Sequence, residues 1–265
     1  MSEYPQLNED ELAGIRERLI EQQGEVAGVP DRLNFVFDLL RGSSPAAYLM
    51  LTGQRDDVQE KLKQLMGKVE ELVEGMFAPW LFIDYAAKWL EVGTKVSAAN
   101  ARVNDIAFNM DGNWDGSAYK AFTASKNAQS LAMTTVAGQC TKIHDELLVI
   151  AEEGRILYSN AIQNIGTMLA ELGVGLGEAA ATAGTALIWS MNNINAAVVA
   201  AVDFVVAALT DFIEVQSKVV IASNKLNNMV NDATGLSATK TPPVWPTSQT
   251  QEFDNKDDDW KQDGV

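Results

Sequence analysis

The chain has 265 residues, with 36 acidic against 20 basic side chains and a formal net charge of −16. That length can bury a substantial core in one large domain or two small ones. The acidic balance excludes nucleic-acid binding through the phosphate backbone and simple electrostatic attachment to anionic lipid. A single Cys and a single His exclude an intrachain disulfide, a Cys-based zinc site and a His-rich metal centre. The opening residues Met1-Ser2-Glu3-Tyr4-Pro5 carry no basic region and no apolar run, so they do not form a Sec-type signal peptide.

Residues 9–24 predict a helix, with Asn8 or Asp10 as N-cap and Glu9 and Glu11 at the positive end of its dipole. Gly24 and Gly28-Val29-Pro30 are expected to stop it. Asp31 to Leu40 reads as helix again, with Leu33, Val36, Phe37 and Leu40 on one stripe, and Gly42-Ser43-Ser44-Pro45 as a break. Ala46 to Thr52 is a short apolar piece of no assigned type, so residues 1–53 are expected to be short N-terminal helices. From residue 54 a helical bundle is expected, extending to residue 236.

Val58, Leu62, Leu65, Val69, Leu72 and Met76 alternate spacings of four and three, which is a heptad seam on a long helix. Pro79 interrupts it. A second seam follows on Tyr85, Trp89, Val92, Val96, Ala99, Val103, Ile106 and Met110. It predicts a helix over about 79–111, because a strand needs a period of two. Asp111-Gly112-Asn113-Trp114-Asp115-Gly116 then supplies turn chemistry. A further helix is predicted over about 117–171, with Ile143, Leu147, Ile150 and Leu157 on its seam. The two long helices predict an antiparallel hairpin over about 79–171. Gly173-Val174-Gly175-Leu176-Gly177 predicts the next break, and residues 178–232 another helix with a possible interruption at Asn192, Asn193 and Asn195. Its main stripe is Val198, Val202, Val205, Leu209 and Phe212. Residues 237–265, rich in Pro, Gln, Asp and Lys, predict a disordered acidic tail. The fold class is therefore all-α, an elongated helical bundle built on an antiparallel hairpin with flanking helices.

Little in the chain has the pattern of a reactive site. Asp111 to Gly116 matches the first half of an EF-hand loop, but the twelfth position, where a bidentate Glu is needed, is Phe122. Cys140 and His144 share a helix face beside Asp145, with no second His or Cys to complete a metal site. A small buried thiol and a partly exposed imidazole account for them. Gly173-x-Gly175-x-Gly177 lacks a preceding strand and the Lys-Ser/Thr of a phosphate loop. No catalytic residue, metal or cofactor is expected.

The remaining constellation is Trp114-x-Gly116-x-Ala118-x-x-x-Phe122. Gly suits a sharp bend, Trp offers a large amphipathic anchor, Ala allows close helix approach, and Phe packs one turn later. The plainer account is a hairpin turn with a Trp cap. A helix, then W-x-G-x-A-x-x-x-F, then a second long helix resembles the WXG100 superfamily of type VII (ESX) secretion substrates and their larger PPE-like relatives. The resemblance covers about residues 79–170. It implies export without a Sec signal to the medium or cell surface. It also implies a homo- or hetero-oligomer with another helical W-x-G protein, and a role for Trp114 and Gly116 in handling by the secretion apparatus.

The chain departs from the small members of that family in its extra helices on both sides. The family's Tyr-x-x-x-Asp/Glu signal is also absent: Tyr4, Tyr48, Tyr85, Tyr119 and Tyr158 are followed four residues on by Asn8, Thr52, Trp89, Thr123 and Ile162. Either a partner supplies the signal, or it is degenerate, or export takes another route. The function expected is non-enzymatic binding by helix–helix association. The alternative is a membrane-active, pore-forming effector that inserts residues 178–211, whose Ala-Val richness favours membrane and whose Asp203 opposes it.

Overall fold

Asn8 opens the first helix by accepting the Glu11 N–H on its side-chain oxygen at 2.9 Å, which satisfies one donor of the first turn. From there a computed structural model describes residues 7–105, 116–231 and 245–246, apart from the side chains at 118 and 215–231. The fold is all-α. The described residues form α1 (Glu9–Ser43), α2 (Pro45–Gly75), α3 (Ala78–Val103), α4 (Ser117–Ala181) and α5 (Leu187–Asn231), and none of them is in a strand. The expected tail, 237–265, falls outside the described residues except at 245–246.

Two of the expected breaks occur where proline and short polar residues demand them. Pro45 stands in the first turn of α2, where its missing N–H costs nothing. Met76 and Phe77 make the turn before α3, and Pro79 enters that helix in its first turn. Two others do not occur. α1 passes through Gly24, Gly28 and Pro30 without ending. An interior proline costs about 3 kcal/mol, but Leu19, Val26, Val29, Leu33, Val36, Phe37 and Leu40 are buried on either side of it. Each buried side chain of this kind contributes about 1.5–3 kcal/mol, so packing overrides the local preference. α4 likewise runs through Gly173, Gly175 and Gly177. A Cβ on Gly175 would lie 3.3 Å from Ile194, so the glycine permits a close approach of α5 rather than a joint. The chain turns later, at 182–186, where Ala183 and Gly184 adopt positive φ of 52° and 87°. Asn192, Asn193 and Asn195 sit inside α5 without interrupting it.

The chain divides into two compact units, Met1–Ile83 with Val149–Ser217, and Asp84–Leu148 with Lys218–Val265. In the first unit α1 and the later part of α4 run one way, and α2 and α5 run the other. Glu11 faces Arg155, Gln22 bonds the Ile162 carbonyl at 2.9 Å, and Leu40 abuts Gly184, so α1 and α4 ascend together. Asn34 bonds Gln59 across α1 and α2, and Gly154 lies near Phe212 while Gly175 lies near Ile194. The core between them includes Leu19, Leu33, Leu62, Leu65, Ile165, Leu172, Leu187 and Met191. The predicted α2 seam, Val58 to Met76, is buried throughout, and Val198, Val202 and Val205 of α5 are buried with Leu209 and Phe212 packed beside them.

Candidate functional site

In the second unit α3 and α4 pack as an antiparallel hairpin. Asn104 bonds Ser130 at 2.9 Å, Asn100 bonds Thr134 at 3.1 Å, Gly93 meets Cys140, and His144 meets the Ala86 carbonyl. As the number falls along α3 it rises along α4, so the chain reverses between Val103 and Ser117.

The face of α3 that meets α4 is not the predicted one. Ala86 and Gly93 are buried and Asn100 is half-buried, seven residues apart each time. A Cβ on Gly93 would stand 3.0 Å from the Cys140 Cβ. The two helices come this close at Ala86 and Gly93 because those positions carry almost no side chain, and Asn100 bonds Thr134 and Ser130 across the contact. Tyr85, Trp89 and Val92, expected to face inward, are exposed, as is Leu90. Val96 and Val103 are half-buried. On α4, Ile143 and Leu147 are half-buried, while Ile150 and Leu157 are fully buried. The apolar residues are seven apart as the heptad reading required, but so are Ala86, Gly93 and Asn100 one position along, two of them small and the third able to bond across the contact. Contact distance selects this second set, through small size at Ala86 and Gly93 and hydrogen bonding at Asn100. The spacing of Ala86, Gly93 and Asn100 was the available signal, and a search for bulky residues passes over it.

The turn motif is described in part. Trp114, with Ile106 and Met110 of the seam, lies outside the described residues. Gly116 has φ +97°, a left-handed conformation that favours glycine. It stands immediately before α4, and Lys120 N–H donates to its carbonyl at 3.2 Å. Phe122 is half-buried, and of Ala118 only its place in the first turn of α4 is described.

Cys140 and His144 have structural work. The thiol is buried against α3, and burial pushes its pKa up, away from the reactive thiolate. His144 Nδ1 donates to the Ala86 carbonyl at 3.0 Å, which pins α4 to α3. Among the described residues no group of three or more His, Cys, Asp or Glu is placed to hold a metal ion. The outer side of α3 is laced by Asp84–Lys88 and Glu91–Lys95 ion pairs at i,i+4 spacing. The hydrogen bond from Lys88 to Asp84 raises the lysine pKa, and the one from Lys95 lowers that of Glu91. Lys88 also lies 5.3 Å from the Tyr85 ring centre.

No protein-family model, no characterised protein and no solved structure matches this chain. What the site can do is therefore argued from its own residues. Apart from Met133 its buried side chains are small, and most of its large apolar ones face outward. Gly93→Val tests the contact that holds it. The added branches meet Cys140 and the Ala137 carbonyl, which forces the helices apart. Thiol labelling of the sole cysteine should accelerate about tenfold or more, because overpacking of this kind costs about 1–3 kcal/mol. An unchanged labelling rate would show that α3 does not shield Cys140.

Proposed function

We propose that the chain is a substrate of a type VII (ESX) secretion system and acts after export, in the medium or at the cell surface, as a non-enzymatic binding protein. Its mode of action is helix–helix association with a second helical W-x-G protein or with its own kind. The observation that carries this reading is the α3–α4 reversal, which falls on the stretch of sequence holding Trp114-x-Gly116. Two further points support it. The hairpin buries Ala86, Gly93, Ala132, Met133 and Cys140, while Tyr85, Trp89, Leu90, Val92 and Leu131 stay exposed. A two-helix unit that leaves most of its large apolar residues outside gains by meeting another helix. Burial of the outer strip contributes roughly 25 cal/mol per Å² of apolar area. The acidic surface elsewhere keeps the assembly soluble.

The experiment is export from matched cells with an intact and an inactivated secretion apparatus. The chain should accumulate in the medium only with the intact apparatus, and equal retention in both contradicts the reading. Trp114→Ala should cut export strongly while far-UV circular dichroism stays within error of the wild type. Parallel losses of export and helicity would instead make Trp114 a packing residue.

A further inference from the structure

One end of the first unit carries exposed apolar side chains on two charge-free stretches of chain, with the exposed Arg41 of α1 beside them. The α1–α2 and α4–α5 turns meet there: the Ser43 hydroxyl donates to the Ala183 carbonyl at 2.7 Å, and Gly184 lies against the backbone of Leu40. Leu49 and Met50, in the second turn of α2, are 74% and 82% exposed. Ile188 and Trp189, at the start of α5, are 46% and 76% exposed. No charged residue occurs between Arg41 and Arg55, nor between Glu178 and Asp203, in a chain whose net charge is −16. α5 is long and apolar enough, over Leu187–Glu214, to cross a membrane by length and composition, yet only 28% of its most apolar stretch is buried. The core of the unit does not account for that excess.

We propose that this end docks onto a neutral, zwitterionic phospholipid bilayer, with Leu49, Met50, Ile188 and Trp189 entering the interface while the helices stay folded. Trp is suited to the headgroup level, where its rings meet hydrocarbon and its N–H meets water. Five of the hydroxyls that would oppose entry are already satisfied. Those of Ser43, Thr52, Thr182, Thr185 and Ser190 each donate to a backbone carbonyl of the same end, which lowers the cost of removing them from water. A protein partner is held in register by several charged and polar groups at the rim, whereas the chain here has no charge from 42 to 54 or from 179 to 202, and the cation beside it, Arg41, lies 6.0 Å from the Tyr48 ring centre. Anionic lipid is disfavoured by the overall acidity of the chain. What remains is a surface that asks only for apolar depth. The inference goes beyond the export reading and does not rest on it.

The test is flotation of the full chain with phosphatidylcholine vesicles at low and high salt. The wild type should float, with partitioning changed less than about twofold by salt because no charge pairing drives it. Met50→Glu with Trp189→Glu should lower partitioning by about tenfold or more, with helicity unchanged because both side chains are exposed. If that double variant loses helicity, Leu49→Ser is read in its place. Trp189→Tyr should retain most of the binding. Three results overturn the proposal: no flotation of the wild type, equal flotation of the charged variant, or binding abolished by salt. A dimer by light scattering that the charged variant dissolves also overturns it, by showing that a second copy covers this end.

Discussion

Gly184→Val should lower the melting temperature by about 10 °C, read by far-UV circular dichroism, which corresponds to a loss of about 3–4 kcal/mol in a chain of this size. Two costs add. Gly184 has φ +87°, and a side chain in a left-handed conformation costs about 1–2 kcal/mol. The new Cβ would also stand 2.5 Å from the Leu40 nitrogen and 2.7 Å from its Cα. Backbone cannot swing aside as a side chain does, so the end of α1 or the α4–α5 turn must move. Gly177 is the control. It is exposed on α4 with nothing within 4 Å of a built Cβ, so Gly177→Ala should stabilise by up to about 1 kcal/mol. Equal effects at the two glycines would mean that the α4–α5 turn does not rest on α1.

Phe37→Ala should cost about 3–5 kcal/mol, the range for removing a large buried ring. Phe37 is fully buried in α1, with the Tyr48 ring of α2 edge-on at 6.2 Å and the Arg55 guanidinium 5.6 Å from its centre. Its loss leaves a cavity between α1 and α2 and removes the ring on which Arg55 lies. Phe35, two residues away, is exposed, and Phe35→Ala should change stability by less than about 0.5 kcal/mol. Urea midpoints for the two variants separate them, and a small effect at Phe37 would contradict its place in the core.

The contrast between these two phenylalanines was legible in part. The sequence reading put Phe37 on the stripe with Leu33, Val36 and Leu40, all of which are buried. The α2 seam and the breaks at Pro45 and Pro79 were legible for the same reason: apolar period and proline act locally. The path of α1 through Pro30 was not, because the packing that overrides proline comes from helices far away in sequence. Gly173 to Gly177 was misread as a joint for a related reason. A glycine opposite Ile194 and a glycine in a loop look alike until the partner helix is placed. At the candidate site the helices and their antiparallel order were legible, and the rotation of α3 was not. Periodicity identifies a stripe but does not say whether bulky or small residues face the nearest neighbour. Tyr85, Trp89 and Val92 thus form a stripe as predicted, turned outward by the small contact at Gly93.

That doubled-back hairpin is the basis of the functional account, and a distance measures it. Spin labels are placed at Ser97→Cys and Gly138→Cys in a Cys140→Ala background. Both sites are exposed, and Gly138 has open space for a side chain. Side-by-side helices, with axes about 8–10 Å apart, place the labels within about 20 Å of each other. A continuous rod would set them about 60 Å apart at 1.5 Å per residue. The account predicts the short distance, and a population at the long one would contradict it.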